Sequence, residues 1–366
     1  MKTAVVAGPS VVEIRETKRP ELGPDDIMVK MHACGICGSD VEKVFGRYGQ
    51  PSMRLGHEPV GIITGVGDSV LEFSVGDRVF AHHHVPCYSC HYCNHGRETM
   101  CPRYYEANLN PCGLSEEFVV PGWNVKRGGV LKLPDSLTFE AATMIEPLAC
   151  CIRSWKKIPH QKGDSVAVYG AGPTGMMHAM LAKAYGFEEI FCLDVNPFRV
   201  DFAKRLEVTA AIRADDPRRR ETVISSTGGG VDAAVVATSS IAALQDAVGV
   251  TRRGGTVMMF GVPSASSRIN LDLADVYSRE ITISTSYAAA DDDTRMALEM
   301  IADSRIPVHT LITHRYQLQD SQSAFDHART GDGAMKIIIT DSAAIPDGAI
   351  TQEQKTKTGS ASHPAQ

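Results

Sequence analysis

Ser165-Val166-Ala167-Val168-Tyr169-Gly170-Ala171-Gly172-Pro173-Thr174-Gly175 is the stretch whose reading decides the fold. An apolar, β-prone run enters a G-x-G-x-x-G, and an Ala- and Met-rich helix over Thr174–Tyr185 leaves it. Strand, glycine turn and helix form the context in which this pattern binds a dinucleotide. Gly170 permits the tight turn, Gly172 lets the backbone approach a pyrophosphate, and Gly175 lets the helix pack on the strand. Pro173 and Thr174 open the helix, whose first N–H groups and positive dipole end face the phosphates. Asp194 ends the next strand, nineteen residues beyond Gly175. A carboxylate there accepts hydrogen bonds from the adenosine ribose and repels a 2′-phosphate, which favours NAD over NADP. Arg199, five residues on, either stacks on the adenine, touches the ribose, or is a solvated helix residue.

Outward from this turn, strands and helices alternate. Ile190–Leu193, Ala233–Ala237 and Thr256–Phe260 read as strands and Pro197–Leu206 as a helix. That alternation predicts a doubly wound parallel sheet. The first ~145 residues are different: short apolar runs such as Asp26–Met31, Pro59–Val66 and Asp77–Ala81 stand between Gly, Pro and Asp. They predict a barrel-like all-β lobe. Beyond Tyr287 come a helix, Asp293–Ala302, and a last strand, Lys336–Thr340. The tail from Ser342 to Gln366 is polar, with little to bury, and is expected to be disordered. The expected class is therefore α/β with two domains, 1–148 together with 288–341, and 149–287.

Cys87-x2-Cys90-x2-Cys93-x7-Cys101 places four thiols within fifteen residues. Short turns at this spacing can aim four sulfurs at one point, as a closed structural zinc site requires. Two disulfides are the alternative. The chain begins Met1-Lys2-Thr3-Ala4-Val5-Val6, too short an apolar run for an export signal, so a reducing compartment and zinc are expected. Three further segments carry ligand types: Cys34-Gly35-Ile36-Cys37-Gly38-Ser39-Asp40, Gly56-His57-Glu58 and Met144-Ile145-Glu146-Pro147-Leu148. A thiolate, an imidazole and a carboxylate make an open set that leaves a zinc position for water or substrate.

Taken together, these motifs resemble the zinc-dependent medium-chain dehydrogenases of the alcohol, polyol and threonine dehydrogenase type. The resemblance runs from about residue 3 to 340. It implies a GroES-like β-barrel catalytic lobe holding two zinc ions, with a Rossmann NAD-binding domain inserted before the chain returns to the first lobe. Catalytic-zinc ligands are implied at Cys37, His57, Glu58 and Glu146; relatives differ over which glutamate binds. Asp40 is implied as the partner that orients His57, and Ser39 as acceptor of the substrate proton. His84 is expected to line the substrate cleft, while His82 and His83 are expected to be ordinary residues. Glu42 stands where many relatives carry the His of a proton relay. The other five cysteines, at 34, 112, 150, 151 and 192, are expected to be buried thiols.

The implied reaction is hydride transfer between a secondary alcohol (a polyol, sugar, cyclitol or amino alcohol) and NAD. A threonine dehydrogenase-like or simple alcohol dehydrogenase is the alternative, and a non-catalytic NAD-binding protein a remote one. The region Ser284-Thr285-Ser286-Tyr287-Ala288 lacks the Arg of the Arg-Tyr pair found in animal-type sorbitol dehydrogenases. A net charge of −6 argues against a nucleic-acid surface. No apolar run reaches the ~18–20 residues of a membrane span, so a cytoplasmic enzyme is expected. The resemblance implies a homodimer or homotetramer.

Overall fold

The computed structural model describes residues 1–46 and 54–341, so the tail expected to be disordered lies outside the described residues. The chain opens with a hairpin, β1 (Lys2–Gly8) and β2 (Val11–Glu16). It continues through β3 (Ile27–Gly35), β4 (Glu58–Val66), β5 (Arg78–Ala81), β6 (Glu117–Val120) and β7 (Val130–Lys132). Then come β8 (Ser165–Tyr169), β9 (Glu189–Asp194), β10 (Ala210–Arg213), β11 (Val231–Val236), β12 (Thr251–Met259) and β13 (Thr282–Thr285). The chain closes with β14 (Ile312–Gln317) and β15 (Lys336–Thr340).

Every residue of β8 is buried, as a parallel strand covered on both faces must be. The parallel sheet runs β10-β9-β8-β11-β12-β13. Its order reverses between β8 and β11, and the glycine turn that follows β8 lies at this switch point, where doubly wound sheets bind ligands. β12 is longer than expected. Its first half, Thr251–Gly255, carries two Arg and two Gly, weak strand formers, and its register breaks there against β11.

The other large sheet is ordered β14-β15-β3-β4-β5-β7, with β6 also on β3. Two register shifts between β3 and β4 bend the pair, so β3 meets β6 through Ile27–Lys30 and β15 through Ala33–Gly35. The pairing with β15 returns the end of the chain to the first lobe and sets Lys336 beside the start of β4.

The expected domain boundary at 148/149 falls inside a continuous helix, Ile145–Trp155. Both halves of that helix belong to one apolar core, so the helix joins the two lobes. Phe80 and Leu131 of the first lobe share that core with Ile145, Ile152 and Trp155, and with Val166, Met176 and Met258 of the second. The helix Asp291–Ala302 packs alongside.

Candidate active site

At the glycine turn, Gly170 has φ +92° and a Cβ there would lie 2.9 Å from the Ala237 carbonyl oxygen. A Cβ on Gly175 would lie 1.7 Å from the Gly170 oxygen. Neither position accepts a side chain. Beside Gly172 a Cβ would meet only the Arg199 guanidinium, at 3.6 Å. The helix Pro173–Ala184 starts here with proline in its first turn, where the missing N–H costs nothing. Asp194 is buried at the end of β9, its two oxygens held by the N–H groups of Ala171 (2.7 Å) and Asn196 (2.8 Å). Its remaining lone pairs are free for ribose hydroxyls. Arg199 Nη1 lies 3.8 Å from Asp194, and its Nε is buried without a partner. An open glycine face, a helix N-terminus, an anchored carboxylate and an orphan donor fit a dinucleotide.

The four thiols at 87, 90, 93 and 101 converge, all ligand atoms lying within 4.8 Å of one another. Cys90–Cys93 and Cys101–Cys87 sulfurs are 3.5 Å apart and Cys87–Cys93 4.0 Å. A disulfide would need about 2.05 Å. Four thiolates at about 2.3 Å from a tetrahedral zinc stand about 3.8 Å apart. The spacing fits zinc and excludes disulfides. The backbone N–H groups of Cys87 and Arg103 donate to Cys101 Sγ at 3.4 Å, so the turns themselves support the sulfurs.

A second convergence joins Cys37, His57 and Glu58 within the same 4.8 Å. Cys37 precedes the helix Gly38–Phe45, and His57 and Glu58 lead into β4. Asp40, on the first turn of that helix, is fully buried and lies 3.0 Å from His57 Nδ1. Burial alone would raise its pKa, but His57 and Lys43 (2.9 Å) outweigh burial and hold the carboxyl below the usual range. Asp40 pairs with His57 Nδ1, which leaves Nε2 toward Glu146 Oε2, 4.0 Å away. Glu146 itself accepts from the Cys150 thiol at 3.4 Å. Glu58 is fully buried. Its Oε2 accepts from Lys336 Nζ at 2.5 Å and its Oε1 has no partner. A buried, half-satisfied carboxylate next to a thiol and an imidazole nitrogen is costly without a cation. The donor set and the orphan oxygen fit zinc. Ser39 is half-buried on the same helix turn, between Cys37 and Asp40.

The three histidines after β5 each carry a buried ring nitrogen without a partner: His82 Nε2, His83 Nδ1 and His84 Nδ1. His82 is anchored through Nδ1 to Asp291 at 3.0 Å, and Asp291 also accepts from Tyr88 of the thiol lobe. The ring of His83 stands 5.0 Å from His57 and 4.0 Å from His84. His84, expected on the cleft, lines a small cavity together with His57, His83, Lys43 and Asn108. Burial pushes His84 down to about 3, so its imidazole is neutral.

Sequence reasoning missed three residues. His83, expected to be an ordinary residue, has its ring 5.0 Å from His57. Lys43 reaches Asp40. Lys336 pairs Glu58, and its signal was present: a lone lysine heading the apolar run Ile337–Ile339 must have a buried partner.

Among the described residues no helix is long and apolar enough to cross a membrane. Residues 23–135 match the Alcohol dehydrogenase GroES-like domain family and residues 173–303 the Zinc-binding dehydrogenase family. The chain is 32% identical over 335 residues to a sorbitol dehydrogenase of Bacillus subtilis, covering 90% of this chain and 93% of the relative. It is 30% identical over 347 residues to D-xylulose reductase A of Aspergillus niger, with 91% and 95% covered. It superimposes on an alcohol dehydrogenase from Thermus sp. ATN1 with a TM-score of 0.85 at 27% identity, covering 93% of this chain and all of that one. With both ligand sets and the glycine turn in place, the chain belongs to the zinc-dependent medium-chain dehydrogenase family, an oxidoreductase with zinc and NAD as cofactors.

Proposed function

We propose that the protein oxidises a secondary hydroxyl of a polyol, with Cys37, His57 and Glu58 holding the catalytic zinc and Glu146 as its alternative carboxylate. Cys87, Cys90, Cys93 and Cys101 hold a second, structural zinc. The names of two relatives, a sorbitol dehydrogenase and a D-xylulose reductase, favour polyols over simple alcohols. One helix carries the reading. Glu146 on the first turn of Ile145–Trp155 faces His57, and Cys151 on the same helix donates to the carbonyl oxygen of Thr174 in the glycine turn, at 3.8 Å. Five residues of helix advance about 7.5 Å. The helix therefore braces the metal ligands against the cofactor turn and fixes their relative position.

Zinc, when bound, supplies Lewis acidity toward the substrate oxygen, and NAD takes the hydride. The chain supplies the rest. Asp40 holds the His57 ring in place. Ser39 would take the hydroxyl proton of the alcohol while releasing its own to water. Lys336 balances the charge of Glu58 and so keeps two buried carboxylates compatible. Asp194 and the turn at 170–175 hold the dinucleotide. We assign 1–148 and 288–341 to the catalytic lobe and 149–287 to the NAD lobe, joined through the helix Ile145–Trp155.

The assembly proposed is a homodimer. Among the described residues β13 pairs only with β12, leaving its outer edge open, and Leu273, Tyr277 and Ile283 near it are 73%, 86% and 41% exposed. An open edge flanked by apolar side chains invites pairing. All ten cysteines are unpaired, which supports a reducing cytoplasm.

The functional reading is tested by following NADH formation by the zinc-loaded protein with xylitol, sorbitol, inositol, 2,3-butanediol, 2-propanol and threonine. Polyols should give the highest kcat/KM. Oxidation of 2-propanol or threonine alone would contradict it.

A further inference from the structure

Two histidines of the thiol lobe take no part in the site described above. The short helix that carries Cys93 runs His91–Asn94, with Cys90 just before it and His95 at its end. His91-Tyr92-Cys93-Asn94-His95 sets two imidazoles four residues apart, neighbours on one helix face. Both residues are exposed, and their ring centroids stand 4.1 Å apart with the planes inclined at 35°. Rings stacked in the open remove little surface from water, so the pair contributes little to the fold.

The pair is nonetheless arranged to chelate. His95 Nδ1 lies 2.6 Å from the carbonyl oxygen of His91. A carbonyl oxygen only accepts, so Nδ1 carries the proton and Nε2 of the neutral ring keeps its lone pair. A backbone carbonyl on one ring nitrogen is the usual support of a histidine that binds metal through the other. Among the described residues no protein group engages either ring nitrogen of His91. Two nitrogens at about 2.0–2.1 Å from one tetrahedral ion stand about 3.3 Å apart, a separation within reach of rings this close. The backbone beneath is held in place. Asn94 N–H donates to the Cys90 carbonyl oxygen at 3.0 Å, Gly96 N–H to that of Cys93 at 3.1 Å, and Arg97 N–H to that of Tyr92 at 2.9 Å. Zinc on the four thiols ties the same turns together, so binding at the imidazoles has little order left to impose.

We infer that His91 and His95 form a third metal site, at the surface and separate from both zinc sites, for one divalent transition-metal ion that favours imidazole, such as nickel or zinc. Histidines four residues apart on one helix face can share an ion, and water completes the shell. Imidazole nitrogen suits nickel, copper and zinc, whereas magnesium takes oxygen ligands and keeps its waters. The inference stands independently of which alcohol the enzyme oxidises.

The test titrates nickel chloride into the zinc-loaded protein and its His91→Gln and His95→Gln variants, with binding followed by calorimetry and zinc content by elemental analysis. The unmutated protein should bind one nickel ion per chain and keep both zinc ions. Each variant should keep its zinc and bind nickel about tenfold more weakly or worse, because a chelate is lost with either ligand. Magnesium chloride at the same concentration should give no binding heat. Nickel should also protect His91 and His95 of the unmutated protein from diethyl pyrocarbonate, a readout that needs no variant. Nickel bound equally by all three proteins would overturn the inference, as would none bound by the unmutated protein or nickel bound only as zinc leaves. A loss confined to one variant would mark a single-histidine contact and overturn the chelate. Each of these results would leave the two zinc sites and the proposed oxidation standing.

Discussion

At the scale of single residues, the account turns on charges that are buried with partners. Asp194 shows how much such a residue does. It receives two backbone N–H groups and keeps lone pairs that would accept from a ribose hydroxyl, while Arg199 stands 3.8 Å away. Asp194→Ser should remove the repulsion of a 2′-phosphate and release Arg199 to meet it. The preference of kcat/KM for NAD over NADP is expected to fall about tenfold or more, with a stability loss of about 1–3 kcal/mol for the two stranded N–H groups. Equal use of both cofactors by the unmutated protein would contradict the assignment. The roles of Asp194 and the glycines were legible because each depends on a local pattern. Lys336 was legible only in part: the apolar run after it marks a buried lysine, but its partner Glu58 is 278 positions away. His83 was missed for a related reason, since three adjacent histidines look alike until the fold decides which ring faces His57.

At the scale of elements, alternating strands and helices announced the parallel sheet, and the glycine turn fixed its switch point. Short edge strands such as Thr282–Thr285 were invisible, because four mostly exposed residues with one apolar side chain carry no period. Long-range ties between elements were equally hidden. Asp246 on the helix Ile241–Val250 binds Arg219 (2.8 Å) and Arg220 (2.5 Å) of the preceding helix and accepts from Tyr169 at the end of β8 (2.9 Å). Burial would raise its pKa, but the two guanidinium groups and the phenol together lower it. A carboxyl whose pKa is lowered by folding stabilises fully above its unfolded pKa of about 4, and the stabilisation fades as pH falls through the folded value. Asp246→Asn should therefore cost about 2 kcal/mol at neutral pH, and its deficit should shrink below about pH 4. Urea denaturation across the acid range measures this. A deficit independent of pH would mean that packing, and not charge, makes the contact.

At the scale of the whole molecule, two lobes share one core through the helix Ile145–Trp155, which the boundary expected from sequence divides. Periodicity locates strands and helices but does not say which lobe a connecting helix belongs to. The shared core ties the helix that carries Glu146 to the glycine turn, and the outer edge of β13 is where the proposed second copy would pair. Ile283→Lys should convert a dimer to monomers in light scattering at micromolar concentration, whereas an unmutated monomer would contradict the proposed assembly. In the proposed division of labour the first lobe carries the metal chemistry and the second the cofactor. Elemental analysis of Cys37→Ser, read beside its NADH affinity and polyol turnover, tests that claim most directly. The account predicts that bound zinc falls from two ions per chain to one, NADH binding stays within about twofold, and turnover drops about a thousandfold or more. Two zinc ions retained with near-normal turnover would contradict it.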